Sequence, residues 1–148
     1  MSSSAHPLPS SLEGRVSQED YGKWLERNAR RLFRRDRKGG MPYAVKSTRA
    51  EYKTLIHLAV VNGSRFDPYT GEELRWELIG TRRAKEMEGL PDRSEEEYSL
   101  MPTADHRNPY ALDFEVCSLR VNSCKNYLTP EKFVSLCCRV YNHRQRLQ

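Results

Sequence analysis

The chain has 148 residues, 37% apolar and 30% charged, with a formal net charge of +5 and a mean hydropathy of −0.83. That length supports one domain with a modest core, and no apolar run approaches the roughly 18 residues of a membrane span. No apolar segment opens the chain as a signal peptide would, and Cys117, Cys124, Cys137 and Cys138 form no CxxC pair, so reduced thiols in a cytoplasmic protein without structural zinc are expected.

The charge is unevenly spread. Residues 21–38 carry eight Lys/Arg against two acids, whereas residues 86–97 carry six acids against one Arg. Such polarity suits a phosphate-rich partner on one side.

Residues 1–15 are rich in Ser and Pro and are expected to be a disordered tail. A basic amphipathic helix is expected within residues 16–40, capped by Ser17 and stopped at Gly39-Gly40. At 100° per residue, Tyr21, Trp24, Leu25, Ala29 and Leu32 share one stripe of it. Lys23, Arg27, Arg30 and Arg34 take the opposite face, and Arg31, Arg35, Arg37 and Lys38 extend the basic run. A solvated face is the bland reading of this run; phosphate contact is the sharper one, and the local excess of charge favours it.

Residues 41–148 are read as the main domain. Met41-Pro42-Tyr43 reads as a linker, and Thr48-Arg49-Ala50-Glu51 fits a capping box. The helix that follows carries Tyr52, Leu55, Ile56, Ala59 and Val60 on its core stripe and stops at Asn62-Gly63. Asp67–Glu72 reads as a tight turn, and Leu74–Ile79 alternates like a half-buried strand. A short helix over Thr81–Glu88 and an acidic loop over Leu90–Glu97 follow. Ser99–Ala104 then runs extended into Asp105-His106, and Phe114–Cys117 reads as a second strand. Ser118 can cap a helix through Asn122 and Lys125. Thr129-Pro130 opens the closing helix, with Phe133, Leu136, Cys137, Val140 and Tyr141 at core spacing.

Within strand, strand and helix the chemistry gathers. Asp105 and Asn122 offer oxygen ligands that suit Mg²⁺, for which Mn²⁺ could substitute. His106 is the residue whose ordinary pKa suits it to activate water near neutral pH. Lys125 could meet a phosphate as a point charge. An Asp-His dipeptide alone is weak, because a lone His is more often structural; the ordered set is what points to phosphodiester hydrolysis.

The same residues carry a resemblance. Pro102-Thr103-Ala104-Asp105-His106, followed by Phe114-Glu115-Val116-Cys117 and Val121-Asn122-Ser123-Cys124-Lys125, resembles the HNH nuclease motif. Asp67-Pro68-Tyr69-Thr70-Gly71-Glu72 is similar to a turn that precedes the motif in many bacterial and phage members, and Asn122–Thr129 to their tail. The resemblance implies an α+β fold with a ββα-metal core flanked by N- and C-terminal helices. It implies His106 as general base and Asp105 and Asn122 as metal ligands. Asp113 falls nine residues before Asn122, where the family often has the Asn that positions the base. Here that residue is Asp, and Arg107 follows the His where an apolar residue is usual.

The sequence thus points to a metal-dependent HNH-type endonuclease acting on DNA, most naturally double-stranded, with a homodimer as one route to cutting both strands. Arg107 joins the basic helix as a nucleic-acid contact. The departures at Arg107 and Asp113 support an alternative: an HNH-like protein that binds nucleic acid without cutting it.

Overall fold

The computed structural model describes residues 5–81 and 98–148. Helix α1 (Gln18–Lys38) is the spine. Ser17 caps it by accepting from the Asp20 amide, and Glu19 and Asp20 complement its positive end. It stops in a Schellman motif: Met41 N donates to Asp36 O, Gly40 N to Arg37 O, and Gly40 takes φ 68°, a conformation glycine adopts without strain. One turn of helix, α2 (Pro42–Val45), stands where a linker is expected, begun by its N-terminal proline.

Helix α3 (Arg49–Asn62) opens with the expected Thr48/Glu51 capping box. It packs Tyr52, Ile56 and Val60 against α1, whose Tyr21, Trp24, Leu25, Ala29 and Leu32 are fully buried. Strands β1 (Pro102–Asn108) and β2 (Asp113–Ser118) form an antiparallel hairpin, with Asp105 opposite Glu115 and His106 opposite Phe114. Ser118 then caps α4 (Leu119–Lys125). Ala104, Phe114 and Leu119 bring this unit into the same core as the two long helices. Mixed helix and antiparallel strand is the α+β composition expected.

Three further segments depart from expectation. Residues 5–15 pack instead of forming part of a loose tail. Leu8, Leu12 and Val16, four apart, join the core, and Leu12 is buried in a 3-10 turn at Ser10–Leu12. Leu74–Ile79 keeps the expected alternation of burial, but its backbone is no strand. With no partner strand among the described residues, Leu78 N and Ile79 N bond locally to Arg75 O and Trp76 O, giving a 3-10 turn at Trp76–Leu78. The closing helix α5 (Pro130–Arg146) forms behind its Thr129 cap, yet none of its residues is buried. Beyond Phe133, which meets Tyr69, its apolar stripe is exposed. Beyond Thr81, the helix expected to Glu88 and the acidic loop to Glu97 lie outside the described residues.

Candidate functional site

A two-stranded sheet leaves the outer edge of β1 with unpaired backbone groups. Side chains from the helices take them up. Trp24 Nε1 donates to Pro102 O at 3.0 Å, and Arg31 Nη2 to Ala104 O at 2.6 Å. Asn28 Oδ1 accepts from Ala104 N at 3.1 Å. Lys125 Nζ donates to His106 O at 2.9 Å. Arg31 also reaches Thr103 Oγ1 and Asn28 Oδ1. It is therefore a clamp on the strand, not the free phosphate contact its place in the basic run suggests.

Asp105 and His106 point to different neighbours, as consecutive strand residues must. Asp105 is 1% exposed, and its Oδ2 accepts from Lys125 Nζ at 3.0 Å; Lys125 is itself 1% exposed. His106, 3% exposed, meets α1. Arg35 Nη2 lies 2.7 Å from its Nδ1. A guanidinium has no acceptor, so Nδ1 presents its lone pair and the ring hydrogen sits on Nε2. That Nε2 is 2.9 Å from Asp36 Oδ2, within ion-pair range but outside hydrogen-bond geometry. Tyr52 donates its hydroxyl to the same Asp36 oxygen at 2.8 Å. Arg35 Nη2 also stands 3.8 Å from Asp105 Oδ1, so one guanidinium bridges both members of the pair.

This arrangement bears directly on the expected metal. The helix residue that meets Asp105 is Lys125, not Asn122, and its ammonium sits where a cation would complete the carboxylate. Asp105 already has two positive partners. Among the described residues, no three His, Cys, Asp or Glu side chains converge as metal ligands would. The contacts of Asp105 are thus with Lys125 and Arg35 rather than with Asn122. Lys125, buried against Asp105, is not placed to touch a phosphate. Asp113 opens β2 opposite Asn108, one pair beyond His106, and its neighbour is Arg107 at 3.9 Å. The residue beside the imidazole is Asp36.

Asp36 was legible as an anomaly. At 100° per residue it falls on the apolar stripe of α1, four residues after Leu32, where an acid must find buried partners. Asn28 occupies the same side of the helix for the same kind of reason.

The acidic groups around the hairpin are tuned by burial and bonding. Burial pushes the Glu115 carboxyl up, partly opposed by the hydroxyl Tyr69 donates to it and by Lys125. Burial also pushes the Tyr69 hydroxyl up, reinforced by that same bond to Glu115. For Asp67, burial acts to raise the carboxyl, but amide donors outweigh it and hold it below its ordinary range. These are Ser118 N at 2.6 Å, Thr70 N at 3.0 Å and Tyr69 N at 2.8 Å. Asp67 thereby ties the turn ahead of the hairpin to the end of β2, and Gly71 closes that turn at φ 74°.

The remaining basic residues lie outward. Lys23, Arg27, Arg30, Arg34 and Arg37 follow one another at spacings of four and three, which keeps them on one stripe, with Lys38 beside it. Arg30, Arg34, Arg37 and Lys38 are exposed. Lys23 pairs with Glu19, and Arg27 is half-buried, donating to Ile79 O at 3.4 Å. Arg107, with 57% of its side chain exposed, stands near the hairpin turn. Of the expected phosphate contacts, the structure leaves Arg30, Arg34, Arg37, Lys38 and Arg107 outward, while Arg31 and Arg35 turn inward to the hairpin. No family model, curated protein or solved structure matches this chain.

Proposed function

We propose that the chain binds nucleic acid through its sugar–phosphate backbone, along the outward stripe of α1, and that the hairpin and α4 serve as an HNH-like frame holding that helix in place. The observation that carries this reading is the division of labour within one basic run. Arg31 and Arg35 are committed to the hairpin. Arg30, Arg34 and Arg37 remain exposed on one stripe of the helix turned away from Arg35, and Lys38 is exposed at its end. A fixed row of cations on a rigid helix suits repeated phosphates about as well as any surface the fold offers. Asp105, His106, Lys125 and Asp36 then weld α1 to the hairpin.

The test is a salt titration of affinity for a DNA duplex. Four phosphate contacts give a slope of log K against log salt of about −3.6. Replacing Arg30, Arg34 and Arg37 by Gln should flatten it by about 2.7. Affinity insensitive to salt, or unchanged by the triple substitution, sinks the reading.

A divalent-metal-dependent HNH-type endonuclease is the second reading. One observation favours it: the order strand, strand, helix carries Asp105-His106 on the first strand and Asn122 on the helix. The imidazole also presents its Nδ1 lone pair behind Arg35, a side chain still 35% exposed. Were Arg35 drawn onto a phosphate, Nδ1 could accept a proton from water. Plasmid nicking in Mg²⁺ or Mn²⁺ that is lost in His106→Ala supports this reading. Binding without nicking in either metal leaves the first.

A further inference from the structure

Helix α5 is the one long element that the described fold does not use. Seventeen residues of helix stand behind a Thr129 cap with no residue buried. Phe133 ties its start to the body, edge-on to Tyr69 at 5.7 Å between ring centres. Beyond that point Leu136, Val140 and Tyr141 are 40%, 55% and 64% exposed. An isolated helix of this length is marginal in water, and most helices are held by packing their apolar stripe.

The spacing says what kind of surface would cover the stripe. Phe133, Leu136, Val140 and Leu147 fall at the a and d positions of a heptad, with His143 at the remaining d. Lys132, Arg139 and Arg146 then take the g positions, and Arg144 an e position. The acid of this helix is Glu131, on the far side from the stripe. Every charged position flanking the seam is therefore basic. A parallel second copy would set Arg139 against Arg144, and an antiparallel one would oppose like flanks again. Such like-charge pairing is how natural helices refuse self-association and select a partner.

We propose that α5 is a docking helix for an acidic amphipathic helix of a different protein, whose apolar seam covers Leu136 and Val140 and whose flanking carboxylates meet Lys132, Arg139, Arg144 and Arg146. The inference stands apart from nucleic-acid binding by α1.

Two synthetic 21-residue helices test it on the full-length protein. Both carry Leu at a and d, one with Glu and one with Lys at e and g. Fluorescence anisotropy should show the Glu peptide binding and the Lys peptide at least about tenfold weaker. Leu136→Asp with Val140→Asp should abolish binding of the Glu peptide. Both positions are exposed, so thermal unfolding of the body should stay unchanged, which separates loss of docking from loss of fold. Lys132→Glu, Arg139→Glu and Arg146→Glu together should reverse the preference between peptides. The proposal is overturned by equal binding of both peptides, or by Glu-peptide binding that survives the Asp pair. It is equally overturned by a sedimentation-equilibrium dimer that the Asp pair dissociates, because a second copy then occupies the stripe. Binding of a DNA duplex that depends on these basic residues, with no peptide binding, also overturns it.

Discussion

Lys125 is the residue whose role the fold changes most. Its ammonium is buried between Asp105 Oδ2 and His106 O, 3.0 and 2.9 Å away. Removing one member of a buried pair strands the other charge, which costs about 3–5 kcal/mol. Lys125→Ala should therefore lower stability by that amount in urea unfolding at neutral pH. Lys125→Met combined with Asp105→Leu should recover part of it, because no carboxylate is left buried, although Arg35 loses one partner and His106 O loses its donor. If Lys125→Ala unfolds like the parent, the ammonium is not the counter-ion of Asp105.

Asp67 supplies a pH-dependent prediction at the same scale. Its carboxyl is held below the ordinary value of 3.8 in the folded chain. A depressed carboxyl stabilises the fold at pH values above the unfolded-state value and loses that contribution as pH falls through the folded one. Asp67→Asn should cost about 2–4 kcal/mol at pH 7, since three amide donors lose a charged acceptor. The gap between variant and parent should shrink below about pH 4. A gap that stays constant from pH 7 to pH 2.5 would remove the ionised carboxylate from the account.

At the scale of elements, α1 holds the hairpin by polar grips as much as by its apolar stripe. Asn28 accepts from the buried Ala104 amide and returns a bond to Trp24 O. Asn28→Ala leaves that strand amide without a partner and should cost about 2–4 kcal/mol, read by chemical unfolding. By contrast, Ser17→Ala removes an exposed cap and should cost about 1 kcal/mol. After α4, Asn126 sits at φ 50°, ψ −120°, and Leu128 N donates to Lys125 O, the geometry of a turn that prefers glycine at this place. Asn126→Gly should relieve that conformation and raise the thermal midpoint.

Across the whole molecule, the cations of α1 divide between those that reach the hairpin and those that face solvent. The inward cations of α1 neutralise Asp36 and Asp105 and pair with a strand edge; the outward ones face solvent. A prediction belongs to this scale too. Arg30→Gln, Arg34→Gln or Arg37→Gln should change the salt dependence of nucleic-acid binding while leaving unfolding within about 0.5 kcal/mol of the parent. Arg31→Gln should do the reverse, destabilising the protein because Ala104 O and Thr103 Oγ1 lose their donor. Reduced salt slope with intact stability in Arg31→Gln would reassign that residue to the interface.

Much of this architecture was written locally in the chain. The Ser17, Thr48, Ser118 and Thr129 caps, the Gly39-Gly40 stop, the two strands and the apolar stripes of α1 and α3 follow from nearest-neighbour chemistry, because capping and periodicity depend on residues within one or two turns. Asp105, His106, Asn122 and Lys125 could be placed on strand and helix for the same reason. Which of them touch could not. The Lys125–Asp105 pair spans 20 residues and the contact of Arg35 with His106 spans 71. Competition among cations for one buried carboxylate is settled by three-dimensional distance, not by spacing. Likewise, an apolar stripe says that a helix wants a partner, as in α3 and α5 alike. Only the packed molecule decided that α3 has one within the described fold and α5 does not, because burial depends on what stands opposite.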